Sequence, residues 1–214
     1  MEDTPATTVA QPQGRRERNK LRVKTRIYEA AMDLFKQQGY DQTSVDEITK
    51  EADVARGTFF NHFQRKEDLI AEWGERRRLQ LRRGLVAEDI SPARVEDIRV
   101  AISRCMSILA ATSLQDPALT KAVLTAWVRT GSPLHEQPYV AGMFGEFVEA
   151  GQRLGDISPA VDSGLAGNLL RDIYLGTLYR WIQAPEGEAD LEADLQSACT
   201  TLLDGLLPRC PSPK

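Results

Sequence analysis

The apolar residues of this chain return every third or fourth position and nowhere alternate over a run long enough to make a strand. That interval fits the 3.6-residue turn of an α-helix, which can then bury one face. Ile27, Ala30, Ala31, Leu34 and Phe35 fall at i, i+3, i+4, i+7 and i+8, the stripe of a helix laid on a core, and this first helix is expected from Thr25 to the stop at Gly39. Val95, Ile98, Ile102, Met106 and Leu109 carry the period over Ala93–Ala111, and Leu165, Leu169, Ile173, Leu178 and Ile182 carry it behind an Asp162 cap to Gln183. A helix is expected at Pro117–Arg129, with Asp116 as cap and proline at the first helical position. Others are expected at His135–Gly151, around Met143, Phe144 and Phe147, and at Leu191–Leu206 before Pro208. The fold class is predicted to be all-α.

At 214 residues the chain can bury one sizeable core or two small ones. No apolar stretch approaches the roughly 18 residues of a membrane span, so no membrane partner is expected. The opening MEDTPATTVAQPQ has neither the basic nor the apolar region of an export signal. Cys105, Cys199 and Cys210 are far apart and odd in number, which argues against a disulfide framework and for a reducing cytoplasm. Net charge is −4, but it is unevenly spread. Gly14–Arg83 holds 17 Lys/Arg against 12 Asp/Glu, whereas Gly84–Lys214 holds 10 against 17. A basic front suits a polyanion, and an acidic rear suits some other task.

Between these halves lies TSVDEITKEADVARGTFFNHFQRKEDLIAEW. Ser44 followed by Glu47 is a capping box, and Val45, Ile48 and Ala52 make a short apolar face behind it. A tight connection at Asp53–Val54 leads to a second short helix, Ala55–His62, with Phe59, Phe60 and Phe63 towards its end. A longer helix, Lys66–Arg83, follows with Leu69, Ile70 and Trp73. Two short helices joined tightly and braced by a third form a helix-turn-helix, whose second helix can enter the major groove of DNA. On it, Arg56 can fork onto a guanine edge and Asn61 can pair with adenine or reach a phosphate. Thr58 offers a hydroxyl or a methyl group, and Gly57 permits close backbone approach. Thr43 and Ser44 stand at a helix N-terminus, which favours a phosphate, and His62 and Lys66 lie where the opposite strand would run. The competing reading is a small helical hairpin inside an ordinary bundle.

Residues 22–73 resemble the DNA-binding domain of the TetR family of transcription regulators. The likeness rests on Ile27, Ala30-Ala31, Leu34-Phe35, Gly39-Tyr40, Thr43-Ser44-Val45, Ile48, Ala52, Val54, Gly57-Thr58-Phe59, His62-Phe63, Lys66-Glu67 and Leu69. It implies that Ser44, Thr58, His62 and Lys66 touch DNA. It also implies a homodimer with two reading helices about 34 Å apart on a quasi-palindromic double-stranded operator, and a variable helical rear domain that binds a small-molecule effector. Ligand would favour a different helix spacing, with Lys66–Arg83 as the mechanical link, and repression is the usual mode. Three positions depart from the pattern. Asp53 replaces the usual turn glycine, Ala55 replaces a Ser/Thr cap, and Phe60 replaces a phosphate-contacting tyrosine and is left as packing.

The expected divisions are a disordered basic arm at 1–20, the helix-turn-helix domain at 21–82, the ligand-binding and dimerisation domain at 83–207, and a disordered tail at 208–214. The arm, rich in Arg between Arg15 and Lys24, can attract phosphates, read the minor groove, or do neither. In the rear domain Met106, Trp127, Met143, Phe144, Phe147, Tyr174 and Tyr179 can line a pocket or simply fill the core. Arg171 can anchor a polar ligand or pair with Asp172. By the family likeness, Leu165, Leu169, Leu178, Trp181, Leu195, Leu202 and Leu206 are dimer-interface candidates.

No enzyme, cofactor or metal is expected. His62 and His135 are the only histidines, and there is no phosphate-binding glycine loop, nucleophile elbow or clustered metal-ligand set. The competing functions are a sensor or scaffold that acts through protein contacts, and a sequence-nonspecific DNA binder. Arg56, Gly57, Thr58, His62 and Lys66 together argue against the first. The acidic net charge argues against the second.

Overall fold

The computed structural model describes residues 14–129, 139–185 and 187–206, and among them every regular element is an α-helix. The chain divides into two compact units, Met1–Lys66 and Glu67–Lys214. His135, Cys210 and the segments 1–13 and 207–214 lie outside the described residues, and so do the expectations placed on them.

In the first unit, α1 spans Arg15–Gln38, α2 Val45–Glu51 and α3 Arg56–Phe60. The basic segment expected to be an irregular arm is instead the opening of α1, which begins ten residues before Thr25. Arginine, lysine and glutamate are good helix formers when exposed. An apolar stripe cannot reveal such turns because they bury nothing. Ile27, Ala31 and Phe35 of α1 are fully buried, and so are Ile48 and Phe59. Gly39 stops α1 at φ +84°, with its N–H on the Phe35 carbonyl at 2.9 Å.

The second unit runs α4 Glu67–Ala87, α5 Ile98–Leu114, α6 Pro117–Arg129, α7 Tyr139–Leu154, α8 Ser163–Gln183 and α9 Leu191–Leu206. Asp97, rather than Ala93, begins α5. Its carboxylate accepts from the N–H groups of Arg99 and Val100 at 2.8 and 3.1 Å, which halts the helix there. Asp116, Asp162 and Asp190 cap α6, α8 and α9 through Leu119, Leu165 and Ala193 at 3.1, 2.7 and 3.0 Å.

Two glycines expected at or beyond helix ends lie inside helices. Gly84 extends α4 past Arg83, and a Cβ there would sit 2.6 Å from the Ile108 side chain. Gly151 lies within α7, where a Cβ would crowd Ile157 and Ile98. In both cases the missing side chain admits a neighbour. Cys105 and Cys199 are buried free thiols, and burial above all pushes them up to about 12 and about 11. They stay protonated and inert.

The tightest helix crossing in the second unit joins α7 to α8. A Cβ on Gly167 would meet the Ala141 carbonyl oxygen at 2.2 Å and the Gly145 nitrogen at 2.8 Å. These are backbone atoms and cannot swing aside. Gly167→Ala is therefore expected to destabilise the fold by about 3 kcal/mol, against the usual gain from glycine to alanine in a helix. Urea unfolding checks this, and a neutral or stabilising result contradicts the packing described.

Candidate nucleic-acid interface

The capping box that fixes α2 is complete. Ser44 Oγ accepts from the Glu47 N–H at 3.2 Å, while the Ser44 N–H and hydroxyl donate to Glu47 Oε2 at 2.8 and 2.7 Å. These bonds, chiefly the one from the Ser44 backbone, hold the Glu47 carboxyl below its ordinary range. Gln38 reaches across to Thr43 Oγ1 and Glu47 Oε1, both at 3.3 Å.

After α2 the chain turns at Asp53, which adopts φ +47° in the place of the family's glycine. Arg26 of α1 donates to the Asp53 carbonyl at 3.0 Å and braces that turn. Ala55 then starts α3 with no side-chain cap. Only its anchors keep so short a helix in place. Phe59 is fully buried and Phe63 nearly so, with ring centroids 5.8 Å apart.

The opposite side of α3 faces outward. Arg56, Gly57 and Asn61 are exposed, and Thr58 is half-buried. Arg56 is ion-paired with Asp46 of α2, both side chains being largely exposed. An exposed pair of this kind is worth little and exchanges readily for another anion. A Cβ on Gly57 would meet nothing within 4 Å. Glycine in a helix interior costs roughly 0.5–1 kcal/mol relative to alanine, and no packing among the described residues asks for it here.

Phe60, expected as packing, is 43% exposed. It stands edge-on to Phe59 at 5.3 Å, with the Arg56 guanidinium 5.6 Å from its ring centre. It belongs to the outward face, and three aromatics so close in sequence concealed which two are anchors.

Two other candidates sit differently from expectation. Thr43 is 1% exposed, and its hydroxyl donates to the Gly39 carbonyl at 2.8 Å. Its side chain therefore closes the α1–α2 corner rather than offering itself to a phosphate. Lys66 donates to the Tyr40 and Thr43 carbonyls, both at 2.8 Å, and lies 4.1 Å over the Tyr40 ring. It ties the end of this unit to the same corner. The sequence shows neither contact: the Thr43 bond closes a corner between two helices rather than a turn within one, and the Lys66 bonds join residues 26 and 23 positions apart.

In the second unit Met106, Phe144 and Phe147 are wholly buried, and Met143, Trp127 and Tyr174 nearly so; Tyr179 is exposed. Arg171 pairs with its neighbour Asp172 at 2.7 Å, the salt bridge of the two alternatives. Leu178 and Leu195 lie in the core of the second unit and cannot form a free face, whereas Leu165 is 60% and Leu169 40% exposed. Trp181 and Leu202 are half-buried, and Leu206 ends α9.

Residues 27–73 match the model of bacterial regulatory proteins of the tetR family. The helix-turn-helix unit is thus similar to the DNA-binding domain of the TetR family. TcmR of Streptomyces glaucescens is 37% identical over 68 residues, which cover 31% of this chain and 30% of TcmR. YuxN of Bacillus subtilis is 48% identical over 44 residues and only 15% of its own length is covered. The chain thus spans under a third of the length of those relatives. UidR of Escherichia coli strain K12 is 28% identical over 80% of this chain and 82% of its own. Among solved structures, Thermus thermophilus FadR, a TetR-family repressor in complex with lauroyl-CoA, is 26% identical with a TM-score of 0.66, covering 89% of this chain and 99% of its own.

His62, half-buried at the end of α3, is held below its ordinary value of 6.5. Burial is the larger cause, and the positive charges of Lys20 and Lys24 on α1 add to it. The fold thus favours neutral imidazole. Its contribution to stability is complete above about pH 6.5 and is lost as pH falls from that value. His62→Gln is expected to lose less stability than the parent between about pH 6.5 and pH 5. Denaturant midpoints across that window check it, and parallel pH profiles contradict it.

Proposed function

We propose that this chain is a ligand-responsive, DNA-binding transcription regulator, a repressor that binds a quasi-palindromic operator as a cytoplasmic homodimer and is released by a small molecule. The observation that carries the reading is the outward face of α3. Arg56, Gly57 and Asn61 stand clear of the protein while Phe59 is fixed beneath them. Groove reading demands that combination: exposed donors, Arg56 exchanging its exposed Asp46 partner for a base edge, on a helix anchored from beneath. An unneeded glycine at the centre of the face fits a DNA backbone or base edge drawn close at Gly57.

Ser44, Thr58, His62 and Lys66 are the residues the family likeness assigns to DNA. Ser44 and Lys66 act through their neighbours as much as directly. Lys66 is bonded to two carbonyls of the corner that presents Ser44. The basic turns Arg15–Lys24 of α1 add sequence-independent attraction to phosphate. The alternative, a sensor or scaffold that works without DNA, predicts that no oligonucleotide is enriched by this protein.

Selection of bound sequences from random DNA is expected to return a two-fold motif with half-sites one turn, about 34 Å, apart. Gly57→Ala separates the readings: it is expected to leave stability unchanged or raised by up to about 1 kcal/mol, yet to weaken operator binding. Arg56→Ala is expected to cost about 1–3 kcal/mol in binding and to relax preference at one base pair. Absence of a motif, or full binding by both variants, rejects the proposal. Higher expression from the cognate promoter when the gene is deleted supports repression, and lower expression rejects it.

The dimer reading draws on Leu165 and Leu169, apolar and uncovered along α8. Leu165→Glu together with Leu169→Glu is expected to yield a folded monomer by sedimentation, with operator affinity lost. A dimer that survives both changes contradicts this assignment.

A further inference from the structure

Among the described residues of the second unit, no acidic side chain balances the charge of one cation, Arg77. Arg76, Arg77 and Arg78 follow one another on α4, and the two outer residues pair with acids one turn back. Arg76 meets Glu72 at 3.2 Å and Arg78 meets Glu75 at 2.6 Å. For Arg77 the positions one turn back are Trp73 and Gly74, which supply no carboxylate.

Half-buried, its guanidinium turns inward. Nη2 donates to Ser113 Oγ at 2.6 Å and to the Tyr174 hydroxyl at 2.7 Å, and Nη1 approaches the Thr112 carbonyl at 3.5 Å. The Trp73 ring lies 4.7 Å from the guanidinium carbon, and Trp127 stands edge-on to Trp73 at 6.2 Å. Every one of these partners is neutral. Neither α5 nor α6 contains an Asp or Glu, and the sole acid of α8, Asp172, is held by Arg171. Among the described residues no carboxylate lies within ion-pair distance of Arg77.

The hydrogen bonds point the same way. A guanidinium carries five N–H donors, and no described residue bonds to Nε of Arg77. Ser113 spends its proton on the Leu109 carbonyl at 2.9 Å, so its oxygen accepts from Arg77. Tyr174 also accepts from Arg77, which leaves its own proton with only Ser113 Oγ, 3.5 Å away. A cation with donors to spare and a phenol whose proton has only a long contact to Ser113 therefore converge beside two indole rings. A half-buried charge with no counter-ion is costly, and a planar anion accepting from both groups removes that cost.

We propose that Arg77 and Tyr174 form an anion-recognition site for a carboxylate-bearing, largely apolar small molecule, with Trp73 and Trp127 against its apolar part. This rests on the reading of the second unit as the effector domain, and it names the effector's chemistry. Arg77 also sits on α4, the helix that begins at the residue after the DNA-binding unit ends.

The test uses the full chain and matched pairs of probes: decanoate, dodecanoate, 4-phenylbutyrate and salicylate, each beside its uncharged amide. Thermal shift is expected to detect at least one carboxylate and not its amide. Arg77→Met and Tyr174→Phe, each first confirmed as folded by its unliganded melting transition, are expected to bind that acid about tenfold more weakly or worse. If no acid in the set binds, or if Arg77→Met binds it as the parent does, the proposal is overturned. Should Arg77→Met fail to fold, Tyr174→Phe and the acid-against-amide difference decide alone. DNA release is scored separately. An acid that binds through Arg77 without loosening DNA keeps this site and removes its effector role. A ligand that releases DNA equally from Arg77→Met keeps the regulator and removes the site.

Discussion

A helix of five residues has no stability of its own, because nucleating it fixes more backbone than its few hydrogen bonds repay. α3 exists because Phe59 is driven completely into the first unit's core, with Phe63 beside it. Everything proposed for this protein's contact with DNA depends on that one burial. It sets which way Arg56, Gly57 and Asn61 point, and it does so without a capping side chain at Ala55.

The supports of α3 are polar and sit at its approach. The Ser44–Glu47 box fixes where α2 begins, Arg26 holds the carbonyl of the turn residue Asp53, and Lys66 closes the corner at Tyr40 and Thr43. These contacts spend polar groups on geometry rather than on ligand. Thr43 and Lys66 thus lie close to a candidate interface while facing the protein. Phe60 is the reverse case, an aromatic ring spent on the outside. Its edge contact with Phe59 and its place under Arg56 stiffen the presented face at the expense of apolar exposure.

The second unit applies the opposite economy. Its glycines admit close neighbours, isoleucine side chains at Gly84 and Gly151 and a second backbone at Gly167, and its caps are aspartates placed one after another at helix starts. Against that regular background Arg77 is the exception. The run of three arginines on α4 hides it, because composition registers three charges and only the i−3 and i−4 neighbours distinguish the unpaired one.

Much of this is legible in the sequence. Three-and-four spacing settled the all-α class, and Ser-x-x-Glu and the Asp caps at 116 and 162 located helix starts, because capping is a local interaction between residues a few positions apart. The likeness over 22–73 marks the short helix that is proposed to read DNA. What remained illegible depended on neighbours distant in the chain or on turns that bury nothing. The exposed basic start of α1 has no apolar stripe to betray it. Asp97 outbid Ala93 as the start of α5 through two backbone bonds that periodicity does not weigh. Leu178 and Leu195 look the same in sequence as Leu165 and Leu169, and only packing in three dimensions separates a core leucine from an exposed one, since a helical stripe says that a face is covered and not by what.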